Sequence, residues 1–116
     1  MREIDVAMDF TKQGYRDVRE RHPNKTVVLG EAGWATKRHT EGESARLMAG
    51  RAGEPEQKAF FDDFTAWSNS ERIVTFYFEA FDESWKGGPH PDEVEKHWGL
   101  YTTDRRPKLA VAADGG

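Results

Sequence analysis

Larger and apolar residues recur at three- and four-residue spacing from Ile4 through Ala7, Met8, Thr11, Tyr15 and Val18, the period of an amphipathic helix over residues 3–20. His22-Pro23-Asn24 ends it, because proline disfavours helical geometry in the residue before it. The pattern then changes. Thr26-Val27-Val28-Leu29-Gly30 is a continuous β-branched and apolar run, which suits a parallel strand covered on both faces, and it stops at Glu31. Residues 35–53 are polar and glycine-containing, which reads as a loop with one helical turn around 43–48.

Pro55 stands at a good first-turn position, and Phe60, Phe61, Phe64 and Trp67 then fall on one face of a second helix, residues 55–68. Beyond Asn69 and Ser70, the run Ile73-Val74-Thr75-Phe76-Tyr77-Phe78 reads as a second buried strand. It too runs into an acid, Glu79. Residues 81–103 form a long loop punctuated by glycine and proline, and Pro107 to Ala112 predict a short final helix before a frayed 114–116. The order helix, strand, helix, strand, helix predicts an α/β fold with parallel strands joined by a helical crossover, in a single domain over residues 1–116.

Composition narrows the partners. Hydrophobic residues make up 36% and charged residues 33% of 116 residues, while 12% aromatic content with four tryptophans argues for a folded chain short of core. The 17 basic and 21 acidic residues are interspersed, so no basic stripe offers a nucleic-acid surface. No apolar run approaches the roughly 20 residues needed to cross a bilayer. The absence of cysteine leaves the compartment open. The four histidines lack metal-ligand spacing, so neither a metal nor another cofactor is expected.

In folds that alternate strands and helices, functional groups gather at the carboxyl ends of strands, where Glu31 and Glu79 stand. A carboxylate there, followed by Gly33 and Trp34, fits a glycosidase: the acid attacks an anomeric carbon and the indole stacks on a sugar ring. The rival reading is an ordinary solvated loop acid. Trp34, Phe81, Trp85 and Trp98 are candidate sugar platforms, with core packing as the alternative; for Trp67, on the phenylalanine stripe, core packing is expected.

Three segments carry a more specific resemblance. Val28-Leu29-Gly30-Glu31-Ala32-Gly33-Trp34 resembles the nucleophile motif of family 17 glycoside hydrolases, the β-1,3-glucanase and glucanosyltransferase family. Phe78-Glu79-Ala80-Phe81-Asp82-Glu83-Ser84-Trp85-Lys86 resembles its last-strand motif, and Glu95-Lys96-His97-Trp98-Gly99-Leu100-Tyr101 its closing motif. The resemblance implies that Glu31 is the nucleophile of a retaining reaction on β-1,3-glucan. It also implies that Glu83, Lys86 and Glu95 are charged supporting residues. An ammonium near the nucleophile would keep it ionised, and Glu79, Trp34, Phe81, Trp85 and Trp98 are then the expected glucan contacts. A surface ion pair is the rival reading of Glu83 and Lys86.

The same resemblance implies part of a (β/α)8 TIM barrel, its last quarter to third, since a complete barrel takes about 250 residues. The general acid/base comes in that family from an earlier strand with no counterpart here, so it would be recruited from Glu79, Glu83 or Glu95, or be lacking. Two strands leave open edges, which predicts a homo-oligomer, dimer or tetramer, held by strand edges and by the stripe of Phe60, Phe61, Phe64 and Trp67. Four copies would supply the eight strands of a closed barrel. The alternative is a catalytically inactive barrel fragment that at most binds β-glucan.

Overall fold

The computed structural model describes residues 2–41, 46 and 50–113. Helix α1 (Glu3–Arg21) leads through β1 (Leu29–Ala32) to helix α2 (Glu54–Ser70), then β2 (Thr75–Tyr77) and a 3-10 turn at Val94–Lys96. The strands pair in parallel, with Leu29 opposite Thr75 and Ala32 opposite Tyr77, so α2 is the helical crossover of a β1–α2–β2 unit.

Local chemistry sets the bounds. The Asp5 carboxylate accepts from the Arg2 backbone N–H at 3.0 Å and covers one orphan donor at the start of α1. Glu3 and Asp5 in the first turn, with Arg19 and Arg21 in the last, complement the helix dipole. Pro55 lies in the first turn of α2, where its missing N–H costs nothing. The predicted strand over 26–30 begins instead at Leu29, whose N–H donates to the Val74 carbonyl at 3.0 Å. Pairing starts there because the preceding Ile73 N–H is drawn back to Ser68 O at 2.8 Å, after a left-handed Arg72 at φ 56°.

One face of this sheet packs on the helices. Ile4, Met8, Phe60 and Phe64 form the buried cluster, with Leu29, Ala32, Trp34, Trp67 and Tyr77 against it. Rings dominate: Phe60 lies 5.6 Å from Phe64 and 5.4 Å from Trp34, and Phe61 meets Tyr77 edge-on at 5.2 Å. Trp67 joins the core as expected, edge-on to Tyr15 at 5.8 Å. The stripe expected to bind another copy is thus largely consumed inside the chain, where Phe60 and Phe64 are buried and Phe61 and Trp67 meet Tyr77 and Tyr15.

The apolar surface left over lies elsewhere. The strands were expected to be covered on both faces, yet Phe76 is 60% exposed, with Val28 and Val74 also open; on α1, Phe10 is 81% exposed beside Val6.

The predicted final helix does not form. Pro107 bridges Tyr101, and the Lys108 N–H donates to Leu100 O at 3.0 Å, so this stretch extends the loop ladder before a turn at 109–111. The turn expected around 43–48 falls mainly outside the described residues, and the frayed 114–116 wholly so.

Candidate active site

Because β1 and β2 run parallel, Glu31, third of four residues in β1, and Glu79, two beyond β2, lie toward the same end of the sheet. Tight backbone approach makes this possible. Phe78 N–H donates to Ala32 O at 2.7 Å, and a Cβ at Gly33 would collide with the Phe78 carbonyl, so only glycine fits. The peptide joining Phe78 to Glu79 is cis. Beyond it, the second motif lies against the third: Glu79 N–H donates to Trp98 O at 3.2 Å, Leu100 N–H to Glu79 O at 2.9 Å and Tyr101 N–H to Ala80 O at 2.9 Å.

The charged centre of this end is Lys86. Its ammonium donates to both Glu79 oxygens, at 3.3 and 3.1 Å, and pairs also with Glu83. It lies 4.6 Å from the centroid of the Phe78 ring, a cation–π contact that adds to its hold. The buried Lys96 fixes the turn from below by donating its ammonium to the Lys86 carbonyl. The three charges therefore form a partly sheltered network rather than a solvated pair.

Their environments separate the two acids. Removal from water raises the Glu79 carboxyl above the ordinary glutamate value, a shared hydrogen bond with Glu83 adds to this, and Lys86 opposes it. Glu83 is lowered, chiefly by its bond to Lys86, and Lys86 is raised, chiefly by Glu83. Environments that push two neighbouring carboxyls in opposite directions are the kind of separation acid/base pairs use. Ionisation of Glu79 opposes folding as pH rises through its raised value; Glu83 adds stability above its unfolded value that is lost as pH falls through its lowered one. Carboxyl-carbon NMR should show two steps belonging to the pair, the upper dominated by Glu79, with both moving up in Lys86→Met. Two independent titrations at the ordinary value would refute the network.

The remaining candidates divide. Glu31 is exposed at the rim of a groove of about 590 Å³ between α1 and β1, and among the described residues it makes no ion pair or side-chain hydrogen bond. Lys86, expected beside Glu31, is engaged with Glu79 and Glu83 instead, because both follow β2 on the same loop. Glu95 is exposed on the 3-10 turn and no ion pair joins it to that network. Trp34 donates its indole N–H to Arg51 O at 2.8 Å and lays its ring on Phe60, which favours its packing role. Phe81 is covered on one face by the Arg105 guanidinium at 3.8 Å, and Trp98 meets Phe78 edge-on at 6.1 Å. Trp85 is 74% exposed.

Several organising residues escaped the sequence reading. Gln57, fully buried on α2, donates to Trp34 O at 3.0 Å and Gly99 O at 2.9 Å, tying the first motif to the third. Asp82 accepts from the Lys108 ammonium at 2.8 Å and the Gly99 N–H at 2.9 Å; Lys108 also donates to Thr36 at 2.8 Å. Asp82 stood within the second motif, but its partner lies 26 residues away, which no local pattern reveals. His97 anchors its loop through its Nε2 contact with Pro91 O at 2.8 Å. Among the described residues no group of three or more His, Asp or Glu side chains could hold a metal, and no helix is long and apolar enough to cross a membrane.

Comparison with known proteins gives this geometry a context. A family model described as the BtgE/BtgC glycoside hydrolase domain matches residues 2–99. A glucan 1,3-beta-glucosidase of Arthroderma benhamiae is 38% identical over 89 residues, covering 72% of this chain and 27% of that protein. A probable glucan endo-1,3-beta-glucosidase of Aspergillus fumigatus is 29% identical over 125 residues, covering 97% and 18%. Among solved structures, an endo-laminarinase from Formosa Hel1_33_131 superposes with a TM-score of 0.82 at 28% identity, covering 93% of this chain and 28% of its own. The family 17 beta-1,3-glucanosyltransferase of Rhizomucor miehei gives 0.75 at 28% identity, covering 94% and 37%. The chain spans about a quarter of the length of the curated relatives it matches.

Proposed function

The chain belongs to the family 17 glycoside hydrolases, as a BtgE/BtgC-type glycoside hydrolase domain, and on that premise we propose that it carries nucleophile-side machinery for retaining cleavage or transfer of β-1,3-glucan. The observation that carries this reading is the placement of Glu31 and the Glu79–Glu83–Lys86 network toward the same end of two parallel strands. Glu31 attacks the anomeric carbon. Glu83, Lys86 and Glu95 support the charge, and Glu79, Trp34, Phe81, Trp85 and Trp98 contact the glucan. A retaining mechanism needs a second carboxyl about 5–5.5 Å from the nucleophile to protonate the leaving oxygen. Glu79, whose carboxyl is raised by removal from water, is the candidate among the described residues, and the rest of a barrel is the other source.

The fold in this reading is part of a (β/α)8 barrel, completed by self-association as a dimer or tetramer. Exposed Phe76, Val74 and Val28 in and beside the strands and Phe10 and Val6 on α1 supply the motive, since these large apolar side chains stand open to water. A second reading, an inactive fragment that at most binds β-glucan, is favoured by the engagement of Lys86 with Glu79 and Glu83, which leaves Glu31 without a neighbouring cation among the described residues. Laminarin hydrolysis followed by anomer-resolved NMR, with light scattering on the same sample, separates them. Retained products from an oligomer support the first reading; binding without turnover supports the second; a monodisperse monomer at micromolar concentration refutes self-association.

A further inference from the structure

Gln57 stands where the pattern of α2 calls for an apolar residue. Phe60, Phe61 and Phe64 follow it at three, four and seven positions, the spacing of one helix face, and Gln57 is fully buried on that face. An amide taken out of water there costs stability unless its polar atoms find partners. Such a breach of local pattern is expected where a residue serves a site rather than the core.

The Gln57 Nε2 donates to two carbonyls on different loops, Trp34 O at 3.0 Å and Gly99 O at 2.9 Å. Trp34 is three residues past Glu31. Gly99 stands between the two residues that bracket Glu79, whose N–H donates to Trp98 O while its carbonyl accepts from the Leu100 N–H. Gly99 has no room for a side chain, since a Cβ would collide with the Asp82 nitrogen and the Phe81 carbonyl carbon, so its backbone is pressed against the segment between Glu79 and Glu83. One amide nitrogen thus joins the backbone just after Glu31 to the backbone that lies across Glu79. The Thr36 N–H, which donates to His97 O at 2.9 Å, joins the same two loops further out.

We propose that Gln57 is a positioning residue of the candidate site, setting the loop that follows Glu31 against the segment that shelters Glu79 by clamping Trp34 and Gly99 to one amide. The proposal rests on the retaining reading above and gives it a determinant on α2, outside all three motifs. Because the Thr36 joint remains, loss of the amide should loosen the inner joint rather than unfold the chain.

Carboxyl-carbon NMR of Gln57→Met, which keeps the side chain's length but donates nothing, tests it together with the rate of laminarin cleavage. Glu79 is held above the ordinary glutamate value chiefly by removal from water, and release of Gly99 should admit water, so the upper carboxyl step should move down. Turnover should fall up to about a hundred-fold, the effect of displacing a reacting group by about 1 Å, with KM within a few-fold. Met8→Ala, which opens a cavity in the core, should lower stability at least as much and leave the upper step in place. Gln57→Asn, one methylene too short to span both carbonyls, should behave like Gln57→Met and takes its place if that variant does not fold. An unmoved upper step in Gln57→Met, or an equal movement in Met8→Ala, overturns the positioning role. A wild type without laminarin turnover overturns the catalytic reading, and the titration then decides the role of Gln57 by itself.

Discussion

Replacing Glu31 by Gln should lower laminarin cleavage by roughly three to six orders of magnitude, the range seen when a covalent nucleophile is removed. The amide keeps the size and planar shape of the side chain but cannot form the glycosyl ester on which retention depends. Glu31 is exposed and free of ion pairs among the described residues, so the substitution leaves no partner stranded and stability should change little. Laminari-oligosaccharide affinity should stay within a few-fold of wild type, which separates loss of chemistry from loss of fold. Glu83→Gln should cost less, since a supporting acid tunes or orients rather than bonds. Equal rates in wild type and Glu31→Gln would place the nucleophile elsewhere.

Lys108→Met should destabilise the fold by about 3–5 kcal/mol, the cost of leaving a sheltered carboxylate without its cation. The Lys108 side chain is 4% and that of Asp82 10% exposed, so water cannot take the place of the lost ammonium. Asp82 would keep the Gly99 N–H and a distant His97 Nδ1 at 3.8 Å, and the Thr36 hydroxyl would lose the Lys108 donor while still donating to His97 O at 3.2 Å. In a domain of this size such a loss lowers the melting temperature by roughly 10 °C or more. The double variant Asp82→Asn with Lys108→Met removes the stranded charge and should recover much of the loss. A single-variant loss below about 1 kcal/mol would show the pair to be peripheral. The consequence reaches the site, because Asp82 lies on the short loop between Glu79 and Glu83.

The helices were legible within one or two residues of their ends because their signals are local. The 3.6-residue period of Ile4 and Met8, the break at Pro23 and the phenylalanine spacing of α2 act over one or two turns. The strands were placed by the same means, but their starts were not. Whether Val28 or Leu29 opens β1 depends on where Val74 offers its carbonyl, 45 residues on. The helix expected at Pro107 failed for a similar reason, since its Lys108 was claimed by Leu100 and Asp82.

The sequence by itself determined the α/β order, the parallel crossover, the three motifs and the positions of their acids, all of which follow from short-range periodicity and residue chemistry. Tertiary structure decided which charges meet. It put Lys86 on Glu79 and Glu83 rather than on Glu31, spent the phenylalanine stripe on the internal core and left Phe10, Phe76 and Trp85 in water. These outcomes depend on contacts between residues distant along the chain, fixed by the loop that folds back after β2, and one-dimensional spacing carries no information about them.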